Sequence, residues 1–357
     1  MRALVLRRRQ GSAAIEVEEL GEPVESDTTL LVEGVALGIC GTDRRLLERK
    51  GRLADGTDRL IVGHESLGRV LRAPAGSGWS VGELVVGVVR QADPAACWYC
   101  KQGQWDLCEG DYAERGISGA DGFGAERYCL EPEAAVRVGP LAEDTAVLLE
   151  PASIVAKAWE VIERHLQWRC ERVAVLGAGP IGQLAALFSV QRGCETNVVD
   201  QVSDGPKPRQ VEALGASYHT EVPSLCGHFD VVLECSGALV REAVALTASG
   251  GVCCLIGGGE SMGHTEVRLG ALARDVMMLN RAVIGVMSSN RHHFEVAVRA
   301  LSQAPAGWLP GLIGPSVPLE DWRSAFEVGP REIKAVISLP SRGNGAYENA
   351  ERQREAF

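Results

Sequence analysis

Gly177-Ala-Gly179-Pro180-Ile181-Gly182 follows the apolar run RVAVL and opens the helical stretch PIGQLAALFSVQRG. Few six-residue stretches constrain a fold more. A first glycine permits a tight strand-to-helix turn, a second lets a pyrophosphate approach the backbone, and a third allows the helix to pack close to the strand. The helix N-terminus then offers free N–H groups to phosphate. Around this loop the chain alternates: TNVVD, FDVVLECSG, GVCCLIGG and RAVIGVM read as strands, and RQVEALG, VREAVALTASG and HHFEVAVRALSQ as helices. Such alternation predicts a parallel sheet covered on both faces. The fold class is therefore α/β, with a doubly wound parallel sheet over 155–295 that binds a dinucleotide. Asp200 ends the strand after the glycine loop. An acid there hydrogen-bonds ribose hydroxyls and repels a 2′-phosphate, so NAD is favoured over NADP. Lys207 and Arg209 follow closely, which keeps NADP open.

Residues 1–154 read differently. TLLVEGVALGIC, LIVGHESLGRVL and ELVVGVV are short β-like runs closely punctuated by glycine, as in a β-rich domain with tight turns. Helical spacing begins near Thr145 and runs through AVLLEPASIVAKAWEVIERHL. Residues 296–340 contain a helix and strand expected to return to the first domain. The stretch 341–357 is a polar tail. A net charge of −11 argues against nucleic acid and anionic membranes as partners. With no long apolar run and basic residues after the first apolar one, the chain reads as cytoplasmic.

Three segments of the β-rich half carry polar residues in apolar settings: Cys40-Gly-Thr42-Asp43, His64-Glu65 and Glu150-Pro151. A thiolate, an imidazole and carboxylates suit Zn²⁺, whose catalytic sites keep one position open. Singly, Cys40 also reads as a packed thiol, His64 as a satisfied core histidine and Glu150 as a helix-start carboxylate. Of the eleven cysteines, Cys129, Cys170, Cys194, Cys226, Cys235, Cys253 and Cys254 read as buried free thiols. Cys97, Cys100 and Cys108 cluster in CWYCKQGQWDLCEGD.

GICGTD, GHE, a cysteine-bearing lobe and a GxGxxG unit, in that order, resemble the zinc-dependent medium-chain dehydrogenases/reductases. CGTDR, YAERGI and NRAVIGVMSSNRHHFEVAV place the resemblance in the glucose dehydrogenase-like branch, over roughly residues 2–340. The resemblance implies a GroES-like catalytic domain. It also implies Cys40, His64, Glu65 and Glu150 around a catalytic zinc, and Thr42 as the hydroxyl that relays the substrate's proton. Glu114, with Thr42 and Glu150, would meet the substrate. Ser236, Gly257, Met287 and Asn290 would join Gly177, Gly179, Pro180, Ile181, Gly182 and Asp200 around the cofactor. Arg45 stands where alcohol dehydrogenases usually carry a histidine, which leaves the proton's exit route open. The implied activity is oxidation of a sugar or cyclitol-like hydroxyl by hydride transfer to nicotinamide. The second reading is a biosynthetic alcohol dehydrogenase or ketone reductase. Further polar candidates for a hydroxyl-rich ligand are Asp43, Arg90, Gln91 and Asp121. The family's lobe has four cysteines spaced C-x2-C-x2-C-x7-C; here Gly103 and Asp111 stand at the last two positions. Cys97, Cys100, Cys108 and Asp111 close around a structural zinc, or packing of Trp98, Tyr99 and Trp105 holds a metal-free lobe, with a disulfide as the third alternative. A homodimer or homotetramer is implied.

Overall fold

The computed structural model describes all residues except 10–11, 48–52, 55–56, 94, 226, 258–268 and 340–357. The expected polar tail and Cys226 lie outside the described residues.

Six strands form an all-parallel sheet. In space their order is Ser217–His219, Glu195–Val199, Arg172–Leu176, Phe229–Glu234, Thr247–Leu255 and Ala282–Gly285. Numbered along the chain, this is 3-2-1-4-5-6, the dinucleotide-binding order with its switch point between strands one and four. The glycine loop leaves the first strand at that switch point. Gly177 has φ +103, a conformation that costs most residues strain. A Cβ on Gly182 would stand 1.8 Å from the Gly177 carbonyl oxygen, so the helix Pro180–Gln191 can sit this close only with glycine there.

The second sheet runs Ala135–Arg137, Leu84–Gly87, Glu65–Arg72, Leu30–Ile39, Lys334–Ser338 and Ile313–Pro318, and Arg127–Leu130 also pairs with Leu30–Ile39. The chain does return to its first half: Ala335 pairs with Ile39 and Ile337 with Leu37. Register brings three strand ends together. Cys40 directly follows Leu30–Ile39, Glu65 begins its strand opposite Gly38, and Lys334 begins its own beside Ile39.

Some boundaries differ from the sequence reading. The helix Leu149–His165 spans the expected junction at 154/155. VREAVAL ends at Leu246, and TASGGVCCL is one strand, because the β-branched Thr247 and the glycine pair favour extended chain over a further helical turn. The helix Leu269–Met278 was not foreseen at all. Cys194, Cys253 and Cys254 are buried as expected, whereas Cys129, Cys170 and Cys235 are only half-buried. Among the described residues no helix is long and apolar enough to cross a membrane.

Candidate metal and cofactor cleft

Cys40 is the N-cap of the single helical turn Gly41–Arg44. Its Sγ accepts the Thr42 N–H at 3.2 Å, and Asp43 Oδ2 accepts the Cys40 N–H at 2.9 Å. The thiol thus points away from its own strand toward His64, whose Nε2 lies 3.1 Å from Sγ. Asp43 is fully buried behind the imidazole, with Oδ1 3.0 Å from His64 Nδ1, off the line of a standard hydrogen bond. That is the usual second layer of a histidine–metal site: a carboxylate on one ring nitrogen fixes the other for the metal. Burial works against a charged ring, but Asp43 and Cys40 outweigh it and hold His64 well above its usual pKa.

Glu65 completes the trio. One ligand atom each from Cys40, His64 and Glu65 lies within 4.8 Å of the others. Sulfur, nitrogen and carboxylate oxygen in a half-open pocket match the donor set of catalytic zinc, so the residues fit that metal. Gly38 makes room, since a Cβ there would lie 2.1 Å from Glu65 Oε2. Lys334, which is 1% exposed, grips both carboxylate oxygens, at 2.7 and 2.5 Å. Glu150 lines the same cleft but stands outside the trio, so three of the four expected ligands converge. Burial pushes the Glu150 carboxyl up to about 7; His64 opposes that shift and Glu65 adds to it.

The cleft holds ≈ 1220 Å³ between the two halves of the chain. Thr42, Arg45 and Glu114 line one side, and Pro180, Ile181, Ser236, Gly257 and Met287 the other. Glu234, fully buried, accepts the Ser236 N–H and hydroxyl and the Gly237 N–H, and so shapes the loop that carries Ser236. Glu114 Oε1 accepts bonds from Arg90 Nη2 at 2.9 Å and Ser288 Oγ at 3.1 Å.

Several expected residues have other duties. Asn290 lies in a separate recess with Gln104 and His292, where it caps the helix Arg291–Ser302 and bonds Asp106. Asp121 accepts from Arg59 and from the Ile61 N–H. The NAD preference read from Asp200 also loses its footing. Asp200 Oδ2 accepts the Ala178 N–H at 2.8 Å and lies 3.1 Å from Lys207 Nζ, so its charge is already paired.

In the lobe, Cys97 Sγ lies 3.7 Å from Cys100 Sγ and 3.8 Å from Cys108 Sγ, and the three form a group able to hold a metal. Asp111 is not part of that group; its backbone N–H donates to Asp93 Oδ2 at 3.2 Å. Backbone N–H donors lower the Cys97 thiol to about 7, while burial raises Cys100 to about 11. Lys334, Lys157 and Asp106 are polar residues that sequence reasoning missed, and Asp43, read as a substrate candidate, stands behind His64. Only Asp43 carried a local signal, three residues after Cys40 as in a capping box.

Residues 26–140 match the alcohol dehydrogenase GroES-like domain, and residues 143–339 match the glucose dehydrogenase C-terminus family. The chain is 35% identical over 346 residues to glucose 1-dehydrogenase of Methanocella arvoryzae, covering 91% of this chain and 96% of the relative. It is 34% identical over 340 residues to glucose 1-dehydrogenase of Thermoproteus tenax, with the same coverage. A Haloferax mediterranei glucose dehydrogenase, solved with NADP, Zn and gluconolactone, superimposes with a TM-score of 0.86 at 28% identity, over 96% of this chain and all of that one. The chain belongs to the glucose dehydrogenase-like branch of the zinc-dependent medium-chain dehydrogenases/reductases, oxidoreductases acting on CH–OH groups.

Proposed function

We propose that this protein oxidises a hydroxyl of a sugar or cyclitol-like substrate and passes the hydride to a nicotinamide dinucleotide. One observation carries the reading: Cys40, His64 and Glu65 converge in a cleft whose opposite wall holds the loop and helix start of a dinucleotide-binding sheet. When bound, zinc supplies Lewis acidity that lowers the pKa of a substrate hydroxyl. Cys40, His64 and Glu65 would hold it, with Glu150 on the same wall. Asp43 keeps His64 turned so that Nε2 faces the metal position. Thr42 places a hydroxyl in the cleft that would relay the substrate proton, accepting it as it passes its own toward solvent. Glu114, braced by Arg90 and Ser288, presents a carboxylate acceptor to a second substrate hydroxyl. A polyol needs such partners, because each buried unpaired hydroxyl costs about 1–3 kcal/mol. The two glucose 1-dehydrogenases and the gluconolactone complex support a sugar as the substrate class.

Both nicotinamide cofactors are proposed to serve. Lys207 neutralises the carboxylate that would repel a 2′-phosphate, and Asp200 stays at the ribose end of the strand. The test is a panel of aldoses, cyclitols and secondary alcohols with NAD and NADP, followed by nicotinamide absorbance. We expect turnover on an aldose, with kcat/KM for the two cofactors within about tenfold, or ~1.4 kcal/mol. Reduction with none of the polyols would sink the proposal.

A dimer is proposed through the sheet edge Ala282–Gly285. Among the described residues that edge pairs with no further strand and exposes Val283, and the helix Leu269–Met278, which precedes it in the chain, exposes Leu269, Met277 and Met278. Exposed edges and apolar clusters of this kind are ordinarily covered. Sedimentation should give at least twice the 38.1 kDa of one chain; a monomer at micromolar concentration would refute it.

A further inference from the structure

We propose that Asp106, inside the three-thiol lobe, is a positioning residue that fixes the cleft loop Met287–Asn290 and thereby sets how tightly the cofactor is held. The inference rests on the dehydrogenase reading of the cleft. Asp106 sits in the single turn Trp105–Leu107, between Cys100 and Cys108, and its side chain is 3% exposed. Its two oxygens reach two different elements. Oδ2 pairs with Lys157 Nζ at 2.8 Å, and Oδ1 accepts the Asn290 side-chain N–H at 2.8 Å. Lys157 Nζ also donates to the Met287 carbonyl at 3.1 Å. The loop is therefore tied at both ends to one buried carboxylate.

The loop needs holding. Ser288 has φ +59, a left-handed conformation that strains a non-glycine residue. Its hydroxyl donates to Glu114, Glu114 is held by Arg90, and Arg90 Nη1 donates to the Asp106 carbonyl at 3.1 Å. The ring closes on Asp106 through backbone and side chain alike. Met287 and Ser288 line the cleft, so a shift of this ring moves the wall that meets the cofactor. A buried ion pair adds little stability over an apolar pair of the same volume. What Asp106 supplies is geometry, and it makes the lobe a support for the cleft wall.

The test is Asp106→Asn in the full-length, zinc-loaded protein, with cofactor Kd read from the fluorescence of the reduced nicotinamide. We expect Kd and cofactor KM to rise about tenfold, or ~1.4 kcal/mol, while kcat changes less than about threefold. In the double variant with Lys157→Met the loss should not grow beyond that of the larger single variant. Should Asp106→Asn fail to fold, Asn290→Ser keeps a helix cap while withdrawing the arm to Asp106, and it should show the same Kd shift in smaller degree. Unchanged Kd in the folded variant, or equal losses in Kd and kcat, overturns the inference. Wild-type protein without polyol oxidation overturns the dehydrogenase reading, and the Kd comparison still judges Asp106.

Discussion

Cys40→Ser should lose the cleft metal and the activity together. Metal analysis of wild-type protein is expected to give at least one zinc per chain, and the variant one fewer. Replacing a group in the layer behind a metal typically costs 10–100-fold, so losing the thiolate itself should lower kcat/KM by more than about a hundredfold. The structure explains why a hydroxyl cannot stand in. Cys40 Sγ is 3.1 Å from His64 Nε2 and already takes the Thr42 N–H, so one sulfur both caps the turn and faces the metal position. Serine can cap, but its neutral oxygen is a poor partner for zinc. The same measurement addresses the lobe. Wild-type protein with two zinc ions, and Cys40→Ser with one, would place a second metal on Cys97, Cys100 and Cys108. A zinc-free Cys40→Ser variant with wild-type kcat/KM would refute the metal site.

How much of this was visible in the sequence follows from how each feature is encoded. The glycine loop and alternating strands are local patterns, and the sheet formed in the order that the loop demands at its switch point. Cys40, His64 and Glu65 were legible because each follows an apolar strand within a few residues, and strand register then brings the strand ends together. Glu150 comes from a helix start rather than from that sheet, and it reaches the cleft without joining the trio. Asp200 ends its strand as read, and Lys207 is already a phosphate candidate in the sequence; what the sequence does not show is that Lys207 pairs with Asp200 itself, once the next helix has begun. Asn290 was assigned to the cleft from a resemblance to its stretch, yet its side chain turns the other way to cap a helix. Asp106 and Lys157 are ordinary charged residues in ordinary surroundings until tertiary contact buries them together.

Lys334→Met should be the most destabilising single change at the site. Lys334 lies 269 positions from Glu65 in the chain, so nothing near either residue announces the pair. The chain's return brings them together, with 1% and 2% of their side chains exposed. Burial works to discharge the lysine, but Glu65 outweighs it and keeps the ammonium above its ordinary pKa. Removing one member of such a pair strands the other, at a typical cost of about 3–5 kcal/mol. Glu65 would be left with a buried charge near the buried Glu150. A lower thermal midpoint is therefore expected in metal-free protein, read by circular dichroism. Added zinc should restore part of it, because a cation on Cys40 and His64 gives the stranded carboxylate a new partner. The double variant Lys334→Met with Glu65→Gln should be more stable than Lys334→Met alone, since it strands no charge. A single variant within about 1 kcal/mol of wild type, or a double variant no better than the single, would show that Glu65 does not depend on Lys334. Glu65 is thus proposed to stand between two cations, a lysine that the fold supplies and a metal that the cleft admits.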